Sequence, residues 1–229
     1  MWLFQEVESK TALRRILPGK SRDWQVLIED RKPVSDPATC RNDPGQTLTM
    51  QRTAIAIRRG VNVRSLPDLD LDGRDRLRKA PRLLLLDADG ELLAEVVNVH
   101  LKSGCAAGQR AAACATLFKQ LQSLVRWNLR RDDPRLPLIV GGDFNRTFRP
   151  DDPMSELLAR AGFGIVAGDR GSCGSARGSR IDHFALNAPG LGLAVQDHRP
   201  EDRALTAGLS DHCPISLRLI VGAEPGAEN

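Results

Sequence analysis

The stretch Leu138-Ile139-Val140-Gly141-Gly142-Asp143-Phe144-Asn145-Arg146 constrains this chain more than any other, because a short apolar run ends abruptly in a carboxylate and an amide. Bounded by Pro137 and by polar residues, the run reads as a buried strand with Asp143 and Asn145 emerging at its C-terminal edge. That edge is where open α/β sheets gather their chemistry. With 229 residues, the chain is within the range of one domain and long enough to bury such a strand in a substantial core.

The remaining elements fit around it. Met1 to Val7 reads as a strand that carries Glu6. Ser9 caps a helix whose Leu13, Ile16 and Leu17 share a face and which stops at Pro18-Gly19. Trp24 to Glu29 is the next strand, and residues Arg31 to Gln46 a polar loop. Two hairpins follow, Thr53–Ile57 with Val61–Leu66 around Arg58-Arg59-Gly60, and Arg82–Asp87 with Glu91–Leu101 around Ala88-Asp89-Gly90. Cys114, Phe118, Leu121 and Val125 recur at helical spacing. After Asn145 come a helix from about Pro153 to Ala161 and a Gly/Ser-rich loop from Gly168 to Ser179. Strands follow at Arg180–Leu186, Leu191–Gln196 and Pro214–Val221, and then a disordered tail from Gly222. Many strands with few helices, and neither a repeat nor a boundary-like linker, predict an α/β four-layer sandwich: two mixed β-sheets flanked by helices, in a single domain over 1–221.

Composition narrows the partners. The net charge of +4 mildly favours polyanions. However, the basic residues between Arg58 and Arg82 are interleaved with Asp68, Asp70, Asp72 and Asp75, which reads as a solvated loop rather than a phosphate track. Tyr is absent and aromatics make up 4% of the chain, which argues against a stacking platform for single strands. None of the five cysteines forms a C-x-x-C pair, so zinc and thioredoxin-type chemistry are poorly supported. Cys105 in a loop and Cys114 in the following helix are near enough for a local bridge, which would contribute roughly 2–3 kcal/mol and imply an exported protein. The other reading is two reduced core cysteines.

The polar residues at strand ends suit phosphoester hydrolysis, which needs a cation against the phosphate oxygens, a group to align water and donors for the transition state. Glu6, alone on an apolar strand, is a hard oxygen ligand for Mg²⁺ or Mn²⁺; the bland reading is a surface glutamate. Asp143 can orient water and Asn145 can donate to a phosphoryl oxygen, although Asp-x-Asn is also a common turn. His212 sits on a rigid edge between Asp211 and Pro214, and Asp182 can fix its tautomer. His100 is a second imidazole at a strand end, beside Lys102 and Ser103.

Five segments in this order carry a resemblance: Phe4-Gln5-Glu6-Val7, Asn98-Val99-His100-Leu101, Gly142-Asp143-Phe144-Asn145, Arg180-Ile181-Asp182-His183 and Ser210-Asp211-His212-Cys213-Pro214. Together they resemble the ordered motifs of the endonuclease/exonuclease/phosphatase superfamily, over residues 2 to about 220. The resemblance implies Glu6 as the ligand of a divalent metal with Asp211 beside it. It implies Asp143 and Asn145 positioning water and phosphate, Asp182 orienting His212, and His100 on the phosphate or leaving-group side. The implied substrate is a phosphodiester such as DNA or RNA, handled by a monomer. Phosphomonoesters, inositol phosphates or phospholipid headgroups are the alternative, as is an impaired member that only binds. The cysteine pair is similar to that of exported bacterial members. Superfamily members carry an asparagine-bearing strand and a helix ahead of the glutamate strand. The chain therefore reads as N-terminally incomplete, with an unpaired strand edge beside Glu6.

Overall fold

Strand β5 (Arg52–Arg58) shows how the layers are stacked. Ala54 and Ala56 face one way and Ile55 and Ile57 the other, and all four are fully buried. A strand apolar on both faces must lie between two layers. It is the centre of a three-stranded antiparallel sheet in the order β1 (Trp2–Val7), β5, β2 (Trp24–Ile28). A computed structural model describes residues 1–31, 38–40, 43–48, 50–73, 77–105, 111–149, 151–166, 181–187, 193–200 and 215–221.

The outer face of this sheet is covered by helix α1 (Lys10–Ile16), through Leu13 packed against Val7, Trp24 and Val26. Ser9 caps that helix as expected, its hydroxyl accepting from the Ala12 N–H at 3.1 Å. The inner face packs Ile55 and Ile57 onto Leu83, Ala94, Val96 and Ile139 of a second, six-stranded sheet. That sheet contains β6 (Val63–Leu69), β7 (Ala80–Leu86), β8 (Leu92–His100), β9 (Leu138–Asp143), β10 (Gly164–Val166) and β11 (Asp182–Asn187). Its order is β10-β11-β9-β8-β7-β6, and it is mixed because β8 and β9 run parallel. Its far face carries α2 (Ala111–Asn128) and α3 (Pro153–Arg160) on Val97, Val99, Leu138 and Val140. Helix, sheet, sheet, helix is the expected four-layer α/β sandwich. The smaller inner sheet is antiparallel throughout its described strands, and β1 is one of its edges.

Two expectations from the sequence change. The segments flanking Arg58-Arg59-Gly60 do not form a hairpin: β5 has both edges taken by β1 and β2, while β6 pairs with β7 in the other sheet. Burial of both β5 faces drives this, turning the local turn into a crossing between sheets. Within the polar loop expected from Arg31 to Gln46, β3 (Ala38–Cys40) and β4 (Asp43–Leu48) pair as a short antiparallel ribbon. The strands expected at Leu191–Gln196 and Pro214–Val221 are present as β12 (Leu193–Pro200) and β13 (Ile215–Val221), paired with each other in a two-stranded sheet. The loop expected over 168–179 and the tail expected from 222 lie outside the described residues.

The two main sheets are joined by Asn98, fully buried near the C-terminal end of β8. Its amide nitrogen donates to Phe4 O at 3.0 Å and Ala54 O at 2.9 Å, and its oxygen accepts from Gln5 Nε2 at 2.6 Å. The approach is close enough to exclude side chains from the facing strand. A Cβ on Gly141 would lie 2.4 Å from Leu3 Cδ1 and one on Gly142 (φ +130°) 2.8 Å from Gln5 Nε2, both on β1, and the latter also 2.1 Å from Val99 O of its own sheet. Removing the Asn98 amide takes one donor from each of two strand carbonyls and the acceptor from the Gln5 amide. Asn98→Ala is expected to lower unfolding free energy by about 2–4 kcal/mol, read from urea denaturation; a loss below about 0.5 kcal/mol would show that the seam does not depend on this residue.

Candidate active site

Strand register brings three sequence-nominated side chains to one place. Asp143, at the end of β9, is paired with His100 on the parallel neighbour β8 and with Asp182 on the antiparallel neighbour β11. Residues paired across adjacent strands share a face, so His100, Asp143 and Asp182 form a row at one end of the layer between the sheets. His100 and Asp143 are buried, and His100 Nε2 lies 3.3 Å from Asp143 Oδ2.

Asp143 is held on both oxygens. Oδ1 accepts from the Asn145 backbone N–H at 2.7 Å, and Oδ2 from the Asn145 side-chain amide at 3.0 Å. The same amide nitrogen donates its other hydrogen to Leu101 O at 2.9 Å. Asn145 takes this position with φ +52°, a left-handed conformation that asparagine tolerates better than most residues. Both amide hydrogens of Asn145 are thus committed to Leu101 and Asp143, and a phosphoryl oxygen would have to compete with those acceptors.

Glu6 reaches the region through a bulge. On β1, Phe4 pairs with Ala54 and Val7 with Arg52, so Gln5 and Glu6 together oppose Thr53. Glu6 absorbs the extra residue with φ +56°, a conformation costly for a non-glycine side chain. Its half-exposed carboxylate accepts from Arg78 Nη2 at 3.1 Å.

Arg78 is the residue that the sequence reading left in a solvated charge run. Its guanidinium also donates to Gln51 O at 3.1 Å and Gln51 Oε1 at 2.9 Å. The neighbouring Lys79 is held by the buried Glu29, which accepts its backbone N–H, and by the Thr53 hydroxyl, which donates to Lys79 O at 2.7 Å. Burial pushes the Arg78 guanidinium below its usual pKa, while the charges of Glu6, Glu29 and Asp143 oppose that shift. Burial likewise raises Glu29, against the N–H of Lys79 and the charge of Arg31. Arg78 is therefore a fixed cation between Glu6 and the field of Asp143. Nothing in its spacing distinguishes it from its charged neighbours; only tertiary contacts do.

His183, adjacent to Asp182, has a structural place: it is buried against Phe144 and Phe148, and its Nε2 donates to Arg146 O at 2.8 Å. Lys102 is partly buried and its backbone N–H donates to Gln120 Oε1 at 2.8 Å; Ser103 is exposed. Asp211 and His212 lie outside the described residues. Glu6 is the kind of oxygen donor Mg²⁺ or Mn²⁺ takes. Among the described residues, however, no group of three or more His, Cys, Asp or Glu side chains converges to hold a metal. The described residues therefore supply one candidate ligand and a rigid carboxylate, and no complete cage.

No protein-family model matches this sequence, and no curated protein does. Solved structures do match. Zebrafish (D. rerio) TDP2 complexed with a single-strand DNA product aligns over 94% of this chain and 83% of its own, at 14% identity and a TM-score of 0.60. A Bacteroides thetaiotaomicron mannosyl-6-phosphatase aligns over 95% and 85%, at 17% identity and 0.58. An endonuclease/exonuclease/phosphatase family protein from Leptotrichia buccalis aligns over 92% and 76%, at 13% identity and 0.54. The chain has the endonuclease/exonuclease/phosphatase fold.

The bulge at Glu6 can be tested without any assay of function. Glu6→Gly and Glu6→Ala delete the same carboxylate, but only glycine relieves the positive φ. Glu6→Gly is expected to be more stable than Glu6→Ala by about 1 kcal/mol in urea denaturation; the reverse order would contradict the bulge.

Proposed function

We propose that this chain is a divalent-metal-dependent phosphoester hydrolase, a nuclease-type phosphodiesterase that acts by direct attack of water. The observation that carries this reading is the row of His100, Asp143 and Asp182, with Asp143 clamped on both oxygens and Arg78 and Glu6 beside it. The fold shared with a DNA-bound TDP2 supports the choice of a phosphodiester such as DNA or RNA.

Asp143, buried yet held in one orientation by Asn145 and His100, is set to align a water molecule and accept its proton. Asn145 serves first to fix that carboxylate. Asp182 is assigned to orient His212, whose imidazole would stabilise the charge that develops on the phosphoryl oxygens, and His100 is assigned to the phosphate or leaving-group side. Arg78 adds a fixed positive charge whose alignment is complete before substrate arrives. A Mg²⁺ or Mn²⁺ ion held by Glu6 and Asp211 would supply further charge against the phosphate oxygens. The attack is in line, without a covalent intermediate. The disulfide between Cys105 and Cys114 supports a place in an oxidising, exported compartment, and the chain is assigned as a monomer.

A second reading, phosphomonoester hydrolysis, draws on the mannosyl-6-phosphatase that shares the fold. A third, a binding module without turnover, draws on the open edge of β1 among the described residues.

One substrate panel separates them. With millimolar Mg²⁺ or Mn²⁺ the purified protein is expected to cleave plasmid DNA and bis-p-nitrophenyl phosphate, and EDTA to abolish the activity. Asp143→Ala should lower kcat/KM by at least about 100-fold. Turnover confined to phosphomonoesters, inositol phosphates or phospholipid headgroups would support the second reading. Absence of both turnover and a metal-induced rise in Tm would support the third, since binding to the native state alone must raise stability.

A further inference from the structure

The residue after Asn145 is as firmly held as Asn145 itself, and by a different set of partners. The Arg146 guanidinium donates through Nε to Asp152 Oδ2 at 2.8 Å and through Nη1 to Cys105 O at 2.9 Å, with Cys105 Sγ at 3.5 Å. Asp152 is buried and caps α3, its Oδ1 accepting from the Met154 N–H at 3.2 Å. Cys105 is buried and bridged to Cys114 in α2. The Arg146 carbonyl is held by His183 on β11. A guanidinium serving only solvation would not converge on a helix cap and a disulfide half-cystine from two separate segments.

The 101–105 segment also touches the candidate site directly. Leu101 N donates to Asp143 O at 2.9 Å, and Leu101 O accepts from the Asn145 amide. Its near end is tied to α2 by the Lys102 N–H on Gln120, and its far end by the disulfide. Asn145 and Arg146 thus rest on one short segment that is clamped to a helix at both ends.

We infer that Arg146 is a positioning residue: it couples the Cys105–Cys114 bridge to the loop that orients Asp143 and Asn145, so that the state of the bridge sets turnover. This rests on the hydrolase reading for its activity readout, and on geometry alone for its spectroscopic one. Arg146 touches no reacting atom; it acts by limiting where Asn145 can sit. An ordinary structural role would cost stability while leaving the chemistry of the folded fraction unchanged.

The test compares the full chain with Arg146→Gln, Arg146→Lys and Cys114→Ser, the last opening the bridge while leaving Cys105 in place. Expected for Arg146→Gln is a fall in kcat on the order of 10- to 100-fold with KM within about twofold. Arg146→Lys, which keeps a donor for one of the two acceptors, should recover part of it. Cys114→Ser should lower kcat in the parent but add little on top of Arg146→Gln, because both act through one contact. The second readout is the Asn145 side-chain amide by NMR. Its hydrogens should be protected from exchange in the parent and exposed in Arg146→Gln and in Cys114→Ser. Unchanged kcat in folded Arg146→Gln, additive effects of the two changes, or unaltered Asn145 protection would overturn the inference. If Arg146→Gln does not fold, Arg146→Lys and Cys114→Ser decide by the same criteria. If the parent lacks turnover the hydrolase reading fails, and Asn145 protection alone judges the coupling.

Discussion

The rest of this molecule depends on the close contact between its two main sheets, made where β8 and β9 meet β1 and β5. One buried amide, Asn98, bridges backbone carbonyls of β1 and β5, and two glycines leave no side chain in the gap. A buried amide satisfied on both donors can be worth more than its apolar replacement because it specifies a single register. Here the register matters two residues further along, where β8 ends in His100 and β9 in Asp143. Any slip between the sheets would carry Gln5 and Glu6 away from that end. Asn98 thus stabilises the sandwich and fixes which residues meet at that end in the same act.

Beyond the seam, the described part of the site is built on constrained backbone. Glu6 and Asn145 are the non-glycine residues with positive φ among the described positions; Asn145 holds Asp143 directly and Glu6 pairs with Arg78. Such strain persists only where surroundings enforce it. At Glu6 the enforcing element is the bulge against β5; at Asn145 it is the pair of bonds to Asp143 and the one to Leu101. Arg78 completes the arrangement from a third direction, with its neighbour's backbone fixed by buried Glu29 and its own guanidinium by Gln51. The carboxylates and this guanidinium are therefore set before any ligand arrives, which is the condition under which electrostatic stabilisation is most effective.

Much of this was legible from residues alone, for identifiable reasons. The apolar run to Asp143 is buried on both faces, so its strand and its edge could be read without a partner. Ser9 caps its helix by a local bond, and the Ala88-Asp89-Gly90 turn joins strands that do pair. The Arg58-Arg59-Gly60 turn misled because local turn chemistry cannot tell a hairpin from a crossing between sheets. The β3–β4 ribbon and Arg78 were hidden because polar or charged composition does not reveal which side chain will find a buried partner. Asn98 left a signal, an amide within a buried apolar strand, that pointed to the seam rather than to a substrate. Asp211 and His212 remain assigned by their motif alone.

The central claim is that water, oriented by Asp143, attacks phosphorus directly. The stereochemical course at phosphorus tests it most directly, using a phosphorothioate diester of one configuration hydrolysed in ¹⁸O-labelled water. A single in-line displacement predicts inversion. Retention would require an even number of displacements, and hence a covalent intermediate on a protein nucleophile, and would contradict the account.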